Sequence, residues 1–346
     1  MSAPRNQLIV GDVRDRLPKL LAASVDCVIT SPPYFRLRNY GERGQIGLEP
    51  NVHAWVDELR VVVQGLARVL KPTGTLWLNL GDTYSHHDRD GAGPKSLLFA
   101  PELLALAMIE DGWVIRNKVV WAKTNPMPTS VRDRLSCTYE VFYLAVRSQH
   151  YYFDLDVIRE PPRSSLRGGS ANEARQAAKG RRPKWAGPLA GSNVGLHAMK
   201  ARGVVGHPLG KNPGDVWTHA TSTHRGVHHA MFPTDLIRRP LLASCPERVC
   251  AACGVPWERA TARTVGHLAL IGELEARCGC GAPTKRGLIL DPFMGAGTVA
   301  IVAEANRRDW LGIELNPTFA RLAKKRIERA RAQRRDVENE PAAEAA

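Results

Sequence analysis

The sequence has no apolar run near the roughly 20 residues that a membrane-spanning helix requires, and its opening residues, Met1-Ser-Ala-Pro-Arg-Asn6, hold no apolar signal core. These absences exclude a helical membrane protein and predict an intracellular, cytoplasmic one. Cysteine is sparse, with seven in 346 residues. That excludes a disulfide-stapled scaffold and leaves thiols for packing or for metal. No internal repeat is visible, so a solenoid is excluded. Acid is in deficit: 34 Asp and Glu stand against 48 Lys and Arg, a net charge of +14. A basic excess of this size suggests a polyanionic partner. A dinucleotide fingerprint is also missing its third glycine, because Gly295-Ala-Gly297-Thr-Val-Ala300 ends in alanine.

What is present is enough for a full core, with 44% hydrophobic and 24% charged residues. Strand-like runs at 7–10, 26–30, 75–80, 114–122 and 138–146 alternate with helical spacing at 13–22, 53–70 and 97–110. A turn is expected at 71–74, and apolar order returns at 231–242. The alternation predicts an α/β class with a mostly parallel sheet. Ligands of such sheets sit at the carboxyl ends of strands. Two unusual loops fall at such ends.

The first is Ser31-Pro32-Pro33-Tyr34, after the strand ending at Thr30. The prolines stiffen the loop and turn the Pro32 carbonyl outward. That carbonyl and the Ser31 hydroxyl can accept the two protons of a planar amino group. Tyr34 supplies a ring to stack on a base, with Phe35 beside it. The second loop is Asp291-Pro292-Phe293-Met-Gly295-Ala-Gly297-Thr298, after Leu288–Leu290. Its glycines let backbone approach a ligand closely, and the helix that follows offers free N–H groups. Asp291 can accept from an ammonium or a hydroxyl. One strand later comes Leu311-Gly-Ile-Glu314-Leu-Asn316, whose acid stands where ribose hydroxyls are usually taken.

In this order the loops resemble those of the permuted, amino-methylating DNA methyltransferases, in which the catalytic motif precedes the cofactor motif. The resemblance extends to Gly74–Tyr84, to Trp121-Ala-Lys-Thr-Asn125-Pro-Met-Pro with Arg132, Arg134 and Glu140, and to Gly226–Pro233. It implies a circularly permuted Rossmann-like fold for S-adenosylmethionine, with the chain ends between its second and third strands. It implies a cofactor site built from Asp291, Pro292, Phe293, Gly295, Gly297, Thr298, Glu314 and Asn316. Phe232 would pack on the cofactor, and Asp12 would approach its adenine amino group. Ser31, Pro32, Pro33 and Tyr34 would receive a base flipped out of double-stranded DNA. Relatives with serine at the first loop position mostly modify cytosine N4, and those with aspartate mostly adenine N6. Cytosine N4 is therefore expected, with adenine N6 as the alternative. A catalytically inert DNA-binding protein on the same fold, and an enzyme modifying RNA or protein, stand as further rivals. The resemblance also implies a nucleoid-associated setting and names a cognate restriction endonuclease and a homodimer as candidate partners.

Two segments interrupt the pattern. Residues 161–213 are rich in Gly, Ser, Pro, Arg and Lys and are expected to be a target-recognition insert or a loop. Residues 245–284 carry Cys250-x2-Cys253 and Cys278-x-Cys280, a spacing that suggests a structural zinc ion in a small ribbon. Four unrelated thiols are the alternative, and Cys245 or His267 is an alternative ligand. The expected organisation is thus 1–160 for the catalytic half, 214–244 for a return to the methyltransferase domain, 285–332 for the cofactor half, and a disordered tail at 333–346.

Overall fold

The computed structural model describes residues 3–161, 207, 209–221, 232–260, 263–265 and 268–339. Most of the 161–213 insert, His267, the segment before Phe232 and the end of the tail lie outside them. The chain divides into two units. The first comprises Met1–Asp154, Gly214–Glu258 and Leu274–Ala346, and the second Leu155–Pro213 and Arg259–Glu273.

The first unit is built on one eight-stranded sheet. Its strands in chain order are β1 (Gln7–Val10), β2 (Val25–Thr30), β3 (Leu70–Leu80), β4 (Val114–Lys123), β5 (Tyr139–Val146), β6 (Val216–His219), β7 (Leu288–Asp291) and β8 (Asp309–Glu314). Their order across the sheet is β1-β8-β7-β2-β3-β5-β4-β6. The pairs β1/β8, β8/β7, β7/β2, β2/β3 and β4/β6 are parallel, whereas β5 runs antiparallel to both β3 and β4. The last strand, β8, therefore lies beside the first, β1.

Side-chain alternation along the strands feeds two cores. On one face Val28, Leu76, Leu78 and Leu290 pack against α1 (Val13–Arg16), α2 (Val52–Val69) and α3 (Ala100–Glu110). On the other, Ile29, Trp77 and Ile289 pack against α4 (Thr234–Ser244), α5 (Thr298–Ala305) and α6 (Pro317–Asn339). Strand β2 is buried along its whole length, and its two polar side chains, Asp26 and Thr30, are buried with partners, Lys71 and Asp291.

Four expected elements differ in detail. The tail expected to be disordered from residue 333 instead continues α6 as helix to Asn339. The helix expected to reach residue 22 ends at Arg16 and tightens into a 3-10 turn at Leu17–Lys19, because Pro18 cannot continue it. Helix α3 starts at Ala100 rather than Leu97, where the Asp82 carboxylate accepts the N–H groups of Phe99 and Ala100. The turn expected at 71–74 is an irregular start to β3, with a register shift against Val25 and Cys27. Gly74 is needed there, since a Cβ would stand 2.8 Å from Leu70 and 3.1 Å from the Asp26 carbonyl. The shift swings Lys71 onto the buried Asp26, Nζ to Oδ1 2.5 Å.

The second unit's described parts are a 3-10 turn at Asp156–Ile158, an antiparallel bridge between Glu160 and Lys211, and a short pair formed by Arg263–Val265 and Leu268–Leu270. Among the described residues no helix is long and apolar enough to cross a membrane.

Candidate active site

Strands β2 and β7 are parallel neighbours, with Cys27 opposite Ile289 and Val28 opposite Leu290. The two loops must therefore emerge side by side. The Thr30 hydroxyl donates to Asp291 Oδ1 at 2.8 Å and ties them together. Both line a single cavity of about 560 Å³, within the usual range for small-ligand sites.

The Ser-Pro-Pro-Tyr loop is held from several sides. The Pro33 carbonyl accepts the Trp55 indole N–H at 3.0 Å, while no described hydrogen bond engages the Pro32 carbonyl. The Tyr34 ring lies against Gly81, where a Cβ would come within 2.7 Å of it. Its hydroxyl lies 2.7 Å from Glu140 Oε2, 2.9 Å from Asn79 Oδ1 and 3.1 Å from Ser31 Oγ. Asn79 Nδ2 donates to the Val141 carbonyl, which turns its oxygen toward the tyrosine. Lys123 pairs with the other Glu140 oxygen at 2.6 Å. Burial, then the Glu140 charge, hold the Tyr34 hydroxyl well above its ordinary pKa.

The direction of these bonds follows from counting protons. Tyr34 has one hydroxyl proton, and both Glu140 and Asn79 present only acceptors to it. The contact with Ser31 must then be made by the serine proton. This leaves the Ser31 oxygen lone pairs for the cavity.

The second loop turns through left-handed glycines, Gly295 at φ 51° and Gly297 at φ 79°. Glu314 stitches it to β8: one carboxylate oxygen accepts the Gly295 N–H at 2.7 Å and the other the Asn316 N–H at 2.9 Å. Burial raises the Glu314 pKa against these bonds. Asp291 accepts from Thr30 and from the Phe293 N–H, yet burial pushes its pKa up to about 7. Asp12 behaves in the opposite way. It caps α1 and takes a forked hydrogen bond from Arg14, which outweighs burial and lowers its pKa.

Of the residues singled out in the sequence, Asp12, Ser31, Pro32, Pro33, Tyr34, Phe232, Asp291, Pro292, Phe293, Gly295, Thr298, Glu314 and Asn316 all line the cavity. Gly297 stands behind it, and its missing side chain lets α6 approach, since a Cβ would lie 3.2 Å from that of Ala323. Phe35 is not at the cavity but in the core, 1% exposed. The Asn316 side-chain oxygen is engaged in capping α6 through Thr318 and Phe319. Sequence reasoning gave no role to Asn79, Lys123 or Glu140, which also line the site. Asn79 left a trace, as a lone amide inside the apolar run of β3.

The four cysteines expected to bind metal lie together, with all Sγ atoms within 4.8 Å of one another. Cys245 is buried away in the core, as is Cys27, whose thiol pKa burial pushes up to about 12.

Fold and cavity together define a Rossmann-like α/β enzyme of the methyltransferase class. The PvuII DNA methyltransferase, a cytosine-N4-specific enzyme, superposes with a TM-score of 0.56 at 15% identity, over 96% of this chain and 93% of its own. A candidate DNA modification methylase of Thermus thermophilus, solved with S-adenosyl-L-methionine, gives 0.52 at 22% identity over 94% of both chains. The DNA methylase family model (N6_N4_Mtase) matches residues 25–325. The Type II methyltransferase M.SmaI of Serratia marcescens is 31% identical over 94% of this chain and 91% of its own length. M.Cfr9I of Citrobacter freundii is 31% identical over 93% and 87%. The chain belongs to this N6/N4 DNA methylase family.

Proposed function

We propose that the protein transfers a methyl group from S-adenosylmethionine to the N4 amine of a cytosine flipped out of double-stranded DNA. The observation that carries this reading is the meeting of the two loops, joined through Thr30 and Asp291, around one cavity.

An exocyclic amine is a weak nucleophile because its lone pair is delocalised into the ring. Two acceptors on its protons favour a tetrahedral nitrogen. The Pro32 carbonyl is one. Ser31 Oγ is the other, kept an acceptor because its own proton is committed to Tyr34. Glu140 and Asn79 fix the tyrosine ring as a wall for the base. A neutral serine at position 31, rather than a carboxylate, supports cytosine over adenine. Bound S-adenosylmethionine would supply a sulfonium methyl carbon: the nitrogen lone pair would bond to it as the carbon–sulfur pair returned to sulfur, and the proton then shed by nitrogen would pass to solvent water.

The cavity fits this cosubstrate by its donor set. Glu314, fixed by two backbone N–H groups, keeps lone pairs for ribose hydroxyls. Asp291 offers a carboxylate whose ionisation a cation would favour. Phe293 and Phe232 give apolar walls, and Asp12 faces the same space. The excess positive charge of the chain suits a phosphate backbone, and the 161–213 insert is the segment assigned to reading sequence.

Mass spectrometry of nucleosides from a host expressing the chain tests the reading. N4-methylcytosine is expected with the native protein and absent with Ser31→Ala. N6-methyladenine in its place would overturn the cytosine assignment. The absence of any new methylated base, from a protein that binds S-adenosylmethionine, would overturn the enzymatic one.

A further inference from the structure

We infer that Cys250, Cys253, Cys278 and Cys280 bind one zinc ion as four thiolates, and that this ion holds together a segment with almost no core of its own. The sulfur atoms all lie within 4.8 Å of one another. A tetrahedral site with zinc–sulfur bonds of about 2.3 Å places its sulfurs roughly 3.8 Å apart, so a small contraction completes it. A two-iron cluster would spread its cysteines over two metals and needs a wider arrangement.

The backbone repeats itself on both sides of the site. Each cysteine pair is followed by a glycine in the left-handed region, Gly254 at φ 74° and Gly281 at φ 60°. The Gly254 N–H donates to the Cys250 carbonyl, closing a tight turn that points both sulfurs of the pair inward. The segment of the second pair is brought alongside where Val249–Cys250 pairs antiparallel with Thr284–Lys285.

Packing cannot hold this arrangement alone. Among residues 250–258 and 274–286, only Cys250 and Pro256 are buried. Segments so poor in core usually need a staple. The ion would be structural, because four protein ligands leave no position for water, and none of the four cysteines lines the active-site cavity. Its anchor to the sheet is Lys71, whose Nζ donates to the Gly254 carbonyl at 3.0 Å as well as pairing with Asp26.

The full chain, purified without chelators, should carry about one zinc ion per molecule by elemental analysis. Titration with an organomercurial should release it in step with loss of the four thiols. Cobalt exchange should give the absorption of a tetrahedral tetrathiolate. Cys253→Ser and Cys280→Ser should each lose the metal, whereas Cys137→Ser should keep it. Metal-depleted protein should be cut by trypsin at Arg277 or Lys285 before the sheet is attacked. A reduced, folded chain with free thiols, no zinc and no cobalt–thiolate spectrum would overturn the inference. So would stoichiometric iron in place of zinc, or retention of zinc by both serine variants. None of these readouts depends on methyl transfer.

Discussion

Replacing Tyr34 with phenylalanine separates two duties that the residue performs at once. The ring remains, still set against Gly81. The hydroxyl, and with it the contacts to Ser31, Asn79 and Glu140, is gone. Asn79 Oδ1, on a residue only 1% exposed, then lacks a donor, which costs about 1–3 kcal/mol of stability. A domain with some 5–15 kcal/mol in hand remains folded after that loss, so the kinetic effect is readable. Ser31, freed from Tyr34, can turn its proton toward the incoming amine and cease to accept from it. A hydrogen bond to a charged or charging group is worth roughly 1.5–3 kcal/mol, which predicts a fall in kcat of about 10- to 150-fold. The stacking surface is intact, so KM for DNA should hold steady. Tyr34→Ala should lose the same factor and also the stacking, about 1–3 kcal/mol per base, and so raise KM. Tritiated methyl transfer to DNA under saturating cosubstrate gives both constants. If Tyr34→Phe kept kcat within a factor of two while Ser31→Ala abolished it, the hydroxyl chain would not be what orients Ser31.

Asp291 makes ligand-free stability depend on pH. Its folded pKa of about 7 stands above the ordinary 3.8, so between those values the folded state holds a proton that the unfolded chain has shed. Stability should fall as pH rises through this window, by at most about 1.4 kcal/mol per pH unit, and level off above 7. Urea denaturation between pH 5.5 and about 8 should show the slope, and Asp291→Asn should flatten it; an equal slope in the variant would count against the assignment. Binding of a cation beside Asp291 should in turn tighten as pH rises toward 7, measurable by calorimetry, and Asp291→Asn should weaken it at every pH. Lys71→Met should cost about 3–5 kcal/mol by leaving the buried Asp26 carboxylate without its partner. Adding Asp26→Asn should restore much of that loss in the melting temperature, and failure to do so would mean that the Gly254 contact dominates.

The sequence disclosed the strands and loops of the site well, for physical reasons. Helix α2 was legible to within a residue because Trp55, Leu59, Val62 and Leu66 keep a strict helical period and all are buried. The cavity loops were legible because prolines and glycines restrict backbone wherever they stand. Residues that act through tertiary contacts were not. Nothing in the order of residues places Glu140, at the start of β5, against Tyr34, 106 positions away. Phe35 was expected beside Tyr34 as a second ring, but the loop sends one ring to the core and the other to the cavity. The swing of Lys71 onto Asp26 was hidden inside what looked like an ordinary turn.

The three acids at the cofactor side show the same limit in their chemistry. As letters, Asp12, Glu314 and Asp291 are interchangeable carboxylates near strand ends. Their surroundings give them different charge states and hence different capacities. Asp12 is kept ionised by the forked Arg14 contact, so it can accept from a neutral amine donor at any working pH. Glu314 spends one lone pair on each oxygen holding two loop N–H groups, so it serves the loop's shape and a ligand's hydroxyls together. Asp291 has no cationic side chain within hydrogen-bonding distance among the described residues, and burial lifts its pKa toward neutrality. A group so placed gains most from a partner that brings its own positive charge. A permanently cationic cosubstrate provides that partner, and its neutral product would withdraw it. The product should therefore bind less tightly than the cosubstrate, and by a smaller margin in Asp291→Asn. Calorimetry with the sulfonium and thioether forms measures that difference, and equal margins in native and variant proteins would sink the electrostatic role assigned to Asp291.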